Sequence, residues 1–309
     1  MGTSTVERVL FDESTNETVR DALPEAGITF FEYVTHLGDG ALLIVFATLL
    51  YWFGADSRRE QRALVIAIGL GALAISAGMK GIFLRPRPEM AAGYSGYSFP
   101  SAHAMGAAAF YGALAVVADT GTRLQRYVVA GTVIGLVAFS RVVIGVHFVG
   151  DVVVGVAIGL AFVALIVHDR SSEPDFIFAI AAVIAILSFI LGSREFTAMT
   201  IGATIGATIT WQYVKFLSPQ PRGAAIVLLG YLCLPVVIGL RAIPVFWPGH
   251  VLISVLEVIG YAVVTAAVLA VPVVAERMND WPPVEWLQAR LPFSGRTIDP
   301  DQITEPTGE

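Results

Sequence analysis

An all-α, polytopic transmembrane helix bundle is the fold class this sequence predicts, on three observations. The mean hydropathy is +0.73 over 309 residues. Only 14% of the residues are charged, against about 25% in soluble domains, too few to clothe a water-facing surface of this size. The apolar residues also gather into runs of roughly 17–25, the length that carries a helix across a bilayer.

Nine such runs follow in order, at approximately 36–54, 62–84, 102–119, 126–144, 147–168, 175–192, 196–216, 222–240 and 250–275. Residues 26–35 are mildly apolar but broken by Glu32, which reads as an interfacial approach helix. The first and third runs are short, and Pro272 marks a kink site in the last. The organisation expected is an acidic segment at 1–35, a five-span core at 36–170, further spans at 171–275 and a polar tail at 276–309.

The net charge of −6 comes largely from the two ends. Glu7, Asp12, Glu13, Glu17, Asp21 and Glu25 precede the first run, and Asp299, Asp301, Glu305 and Glu309 lie near the end; such runs read as solvated tails. No basic footprint for a nucleic acid is present. Cys233 is the single cysteine, so no intrachain disulfide is available. The N-terminus lacks the charged-then-apolar pattern of a cleaved signal, leaving insertion to the first span.

Gly131/Gly135, Gly155/Gly159 and Gly202/Gly206 are GxxxG pairs that let backbones approach in lipid. They support a tight bundle and are compatible with a homo-oligomer without specifying one. One set of loops carries Arg58, Arg59, Arg62, Arg123, Arg126, Arg170, Lys215, Arg222, Arg277, Arg290 and Arg296. The positive-inside rule places that set in the cytoplasm, with the N-terminus outside and the C-terminus inside.

Three polar stretches then fall on the outer side: Lys80 through Arg87-Pro88, Pro100-Ser101-Ala102-His103, and Ser140-Arg141 with His147 and Asp151. Pro86 and Pro88 break the helix after Lys80 and present cations at the membrane surface. Ser101 opens a span whose leading amides and dipole favour an anion. His147 and Asp151, four apart, share a helical face, where a carboxylate fixes the imidazole tautomer. An ionisable pair at the start of an apolar span is expensive and marks function. Taken singly, the same residues also read as snorkelling cations, a helix cap and a structural pair. Together they supply three cations, two imidazoles and one carboxylate, a set suited to holding a phosphate, attacking it and protonating its leaving group.

With these residues in place, the chain resembles the type 2 phosphatidic acid phosphatase superfamily, the lipid phosphate phosphatases. The family pattern K-x6-R-P matches at Lys80, Arg87 and Pro88. P-S-G-H matches at Pro100, Ser101 and His103, with Ala102 in place of glycine. S-R-x5-H-x3-D matches at Ser140, Arg141, His147 and Asp151. The resemblance implies a catalytic core within 36–170, with His147 as nucleophile, His103 as general acid and base, and Asp151 supporting His147. It implies that Lys80, Arg87, Ser101, Ala102 and Arg141 bind phosphate. The substrate it implies is a lipid phosphate or diphosphate (phosphatidate-like, phosphatidylglycerol-phosphate-like or polyprenyl) within membrane lipid, with no metal or other cofactor.

The nine-run arrangement is similar to glucose-6-phosphatase, which keeps a sugar phosphate open as substrate. Vanadium haloperoxidases share the anion site but are soluble. A transporter and a non-catalytic phospholipid-binding protein remain as rival classes, although the charges sit at one membrane face rather than at the midplane. Outside the motifs, Glu257 in the last run is an intramembrane carboxyl, a functional candidate by default. His36 and His168 read as interfacial, as do Trp281 and Trp286, and Trp247 through His250 as an outer loop.

Overall fold

Local chemistry sets the helix boundaries. Asp39 caps one helix by accepting from Ala41 N at 2.8 Å. Thr122 and Gln125 form a reciprocal capping box, satisfying amides that have no intrahelical acceptor. Before Arg85-Pro86 the chain turns through Leu84, a left-handed residue at φ 47°.

The computed structural model describes residues 10–54, 56–91, 93–168, 173–191, 196–246 and 251–291. Among these it is helical throughout, with no strand. The helices are α1 (Glu13–Asp21), α2 (Glu25–Val34), α3 (Gly40–Phe53), α4 (Arg59–Phe83), α5 (Ala102–Val117) and α6 (Arg123–Val143). They continue as α7 (Val149–His168), α8 (Pro174–Ile190), α9 (Thr197–Val214), α10 (Gly223–Phe246), α11 (Val251–Glu276) and α12 (Pro282–Gln288).

Each of the nine apolar runs falls on a helix, α3 to α11. By length and composition, five of these can cross a membrane alone: α4, α6, α7, α10 and α11. Residues Glu25–Gly38 and Gly40–Phe53 add a sixth candidate if the pair, bent by 51°, is one span. α5 and α8 are apolar but shorter.

The core explains the element order. α5 packs against α4, α6 and α7, α8 lies on α4, and α9 sits between α8 and α11. Ile68, Met105, Phe110, Phe178, Trp211 and Leu269 form one continuous buried cluster across α4, α5, α8, α9 and α11. A smaller cluster, with Ala225, Val271 and Val284, seats α12 against α10 and α11.

The glycine pairs differ in use. A Cβ at Gly155 would lie 2.8 Å from the Ser101 carbonyl, and one at Gly159 2.6 Å from the Met105 carbonyl, so α7 lies directly on the α5 backbone. Gly202 and Gly206 seat α9 on Val258 and Ala262 of α11 in the same way. Gly131 and Gly135 have nothing within 4 Å. They line an apolar groove of about 680 Å³ between α5, α6 and α7, away from the polar motifs.

Two sequence expectations change. Arg59, read as a loop cation, is buried at the start of α4. It donates to the Val214 and Leu217 carbonyls and to Tyr51 Oη, satisfying the end of α9 where carbonyls lack intrahelical donors. Residues 13–21, read as part of a solvated acidic tail, form a helix docked on α6 with Asn16 fully buried. Glu257 is half-buried on α11. The loop from Trp247 to His250, Arg8, Arg170, Arg194 and the chain beyond 291 lie outside the described residues.

Candidate active site

The end of α4, the start of α5, the end of α6 and the start of α7 meet at one end of the bundle, because antiparallel neighbours alternate direction. That topology brings the three polar stretches together. Ser101 N donates to the Asp151 carbonyl at 3.1 Å, tying the starts of α5 and α7. Beneath them Ala104, Val142 and Val152 form a small apolar floor.

Lys80, one turn from the end of α4, is 3% exposed and donates to the Tyr97 carbonyl at 2.8 Å. Arg87 donates from Nε to the Ser95 and Gly96 carbonyls, each at 3.2 Å, and from Nη1 to the Val146 carbonyl at 3.1 Å. The stretch 93–98 is therefore wrapped around two motif cations. Arg141 is 4% exposed; its Nη1 donates to Thr35 Oγ1 at 2.6 Å while its Nε–H has no acceptor.

Ser101 caps α5, accepting from Ala104 N at 3.4 Å, and Ala102 and His103 begin the helix, both partly exposed. His103 lies within electrostatic reach of Arg141, His147, Arg87 and Lys80. Ser140, although part of the third stretch, turns back on its own helix and donates to the Val137 carbonyl at 2.7 Å.

His147 sits in the turn between α6 and α7, where Gly145 at φ 73° supplies the left-handed conformation that L side chains resist. Its Nε2 is 3.3 Å from Arg87 Nη1. A guanidinium only donates, so Nε2 is the acceptor and Nδ1 carries the proton. On that side lies Ser98 Oγ at 3.4 Å, which itself donates to Asp151 Oδ2. The direct Nδ1–Oδ2 separation is 3.6 Å, longer than a hydrogen bond, so the serine hydroxyl bridges the pair. Asp151 Oδ2 also accepts from Phe148 N at 3.0 Å. Burial pushes the His147 imidazole down from 6.5 to about 4; the Asp151 carboxylate opposes the shift, and Arg141 and Arg87 add to it. The ring is thus neutral, with the Nε2 lone pair turned toward the guanidinium of Arg87.

The structure brings together Lys80, Arg87, Ser101, Ala102, His103, Arg141, His147 and Asp151. Sequence reasoning missed Ser98, Thr35 and Asn16. Ser98 is fully buried, and its position two residues before Pro100 carried no periodic signal. Among the described residues no group of three or more His, Cys, Asp or Glu is arranged to hold a metal ion.

Residues 61–174, a stretch containing all three motifs, match the family model described as the PAP2 superfamily. The chain is similar to a Bacillus subtilis (strain 168) protein described as phosphatidylglycerophosphatase B, with 32% identity over 145 residues, covering 43% of this chain and 70% of that relative. No solved structure gives a significant match.

Proposed function

The chain belongs to the PAP2 superfamily and is a phosphoric ester hydrolase, and from that premise we propose that it dephosphorylates a membrane lipid at the extracytoplasmic surface through a histidine nucleophile. The observation that carries this reading is the facing of a neutral His147 Nε2 and the guanidinium of Arg87, with Arg141, Lys80 and His103 close by. A phosphomonoester carries roughly −1.5 to −2 charges near neutral pH, a load that three cations balance. Positioning and charge stabilisation supply most of the catalysis in phosphoryl transfer.

In the first step the Nε2 lone pair attacks phosphorus, a P–N bond forms and the P–O bond to the lipid alcohol breaks. His103, protonated once the negative phosphate lies beside it, gives that proton to the departing oxygen. Asp151, through Ser98, supports the positive charge gained by His147. In the second step His103 takes a proton from water, the resulting hydroxide attacks phosphorus, and the P–N bond breaks to release inorganic phosphate. Lys80, Arg87, Arg141, Ser101 and the leading amides of α5 hold the non-bridging oxygens. Arg141 Nε–H, buried and without an acceptor, is a donor for one of them.

A cluster at one end of apolar helices suits a substrate whose headgroup reaches it while its tail stays in hydrocarbon. The similarity to a protein named phosphatidylglycerophosphatase B makes a phosphatidylglycerol-phosphate-type lipid the first substrate to try. The cation distribution between loops supports an extracytoplasmic site.

The test is phosphate release by purified protein from phosphatidylglycerol phosphate, phosphatidate, polyprenyl diphosphate, a sphingoid phosphate and glucose 6-phosphate, each with and without EDTA. Turnover of at least one lipid above glucose 6-phosphate, unchanged by chelation, is expected. Preference for the sugar phosphate overturns the lipid reading, and activity lost to EDTA and restored by Mg²⁺ overturns the metal-independent mechanism. Ser98→Ala is expected to lower kcat about 10-fold with KM within about twofold, since the bridge acts on the nucleophile rather than on the bound anion. Steady-state kinetics on the best lipid checks it, and an unchanged kcat removes Ser98 from the relay.

A further inference from the structure

The turn that carries His147 is held by its own backbone bonds, by Arg87 on the Val146 carbonyl and, from the other side, by α1. Asn16 is 0% exposed, and its Nδ2 donates to two carbonyls, Val142 at 3.1 Å and His147 at 2.8 Å. These lie at the two ends of the turn, so one amide ties them together. Arg20 Nη1 adds the Val143 carbonyl at 3.4 Å.

The same helix also reaches the first motif. Glu13 accepts from Glu89 N at 3.1 Å and Met90 N at 2.8 Å, just beyond Arg87. Just before α1, Phe11 lies 3.7 Å beneath the Arg85 guanidinium and packs against Phe99, which precedes Pro100. The segment from Phe11 to Arg20 therefore touches the chain beside all three motifs. Burying an amide is costly unless its bonds matter, and Asn16 is buried with its Oδ1 unpartnered.

Resting on the phosphatase reading above, we infer that Asn16 is a positioning residue for His147, holding the turn so that Nε2 points at phosphorus, with α1 clasping that turn against the loop after Arg87. Asn16 touches neither the anion nor the reacting atoms. Its removal moves the nucleophile and leaves the cation cluster in place. A displacement of about 1 Å at a reacting atom costs on the order of 100-fold in rate.

The test uses the full-length chain in detergent with Asn16→Ala and Asn16→Leu, the latter filling the vacated volume. Three quantities are measured on the best lipid phosphate: kcat and KM, inhibition by inorganic phosphate, and the rapid-quench rate of ³²P incorporation into protein. Expected is a fall of about 10- to 100-fold in kcat and in phosphoenzyme formation, with KM and the phosphate inhibition constant within about threefold. A kcat within about twofold of the unaltered chain overturns the inference, whatever happens to thermal stability, because a merely structural tie shifts melting alone. A loss carried entirely by KM overturns it too, placing α1 on the anion pocket instead. If Asn16→Ala does not fold, Asn16→Leu carries the same criteria. An unaltered chain that forms no phosphoenzyme overturns the nucleophile assignment as well, whereas variants matching an active unaltered chain sink this inference only.

Discussion

His147→Ala removes turnover by about 10⁴-fold or more while the protein remains folded and still binds inorganic phosphate. In catalytic constellations that act as a unit, deleting the nucleophile leaves only what binding and charge stabilisation supply. Here the lost group is one imidazole, while Lys80, Arg87 and Arg141 keep their carbonyl and hydroxyl partners. Anion affinity therefore stays within about an order of magnitude as rate collapses. The check is phosphate release together with an inhibition curve for inorganic phosphate. Hydrolysis by His147→Ala at more than a tenth of the original rate, from protein free of contaminating phosphatase, refutes the assignment.

Gly159→Val destabilises the bundle by about 3 kcal/mol, near the upper end of what overpacking a rigid contact costs. A Cβ there meets the Met105 carbonyl at 2.6 Å and Ala108 Cβ at 2.8 Å, so the obstacle is α5 itself rather than the end of a flexible side chain. α5 carries Ser101 and His103 at its start, and pushing it away from α7 also separates His103 from His147. Activity falls with stability. Gly131→Val is the control: no atom lies within 4 Å of that added carbon, and a change within about 0.5 kcal/mol is expected. Melting of both variants in detergent decides it. Equal losses at the two sites would mean that α7 does not lie on α5.

The motif residues were legible in the sequence because each stretch is local: a proline pair ends α4 after Lys80, and His147 and Asp151 lie four apart, although His147 stands in the turn before α7 and not on one helical face with Asp151. Their convergence followed from alternating helix direction. Ser98, Thr35 and Asn16 were not legible, because what matters at each is a partner far along the chain. Asn16 bonds across 126 and 131 positions, and Thr35 meets Arg141 across 106. The acidic residues around Asn16 argued for a solvated tail, and charge counting has no means of seeing one amide tucked under a helix. The glycine pairs show the same limit. Their spacing is identical, yet two of the three seat helices and Gly131/Gly135 borders open space.

The exposure of the cluster is uneven. Lys80, Arg141 and His147 are buried, whereas Arg87, Ala102 and His103 are partly exposed. On the proposed mechanism this unevenness sets an order of departure: the dephosphorylated alcohol leaves across the open His103 edge, water arrives from the same side, and inorganic phosphate, held by the buried cations, is the last to go.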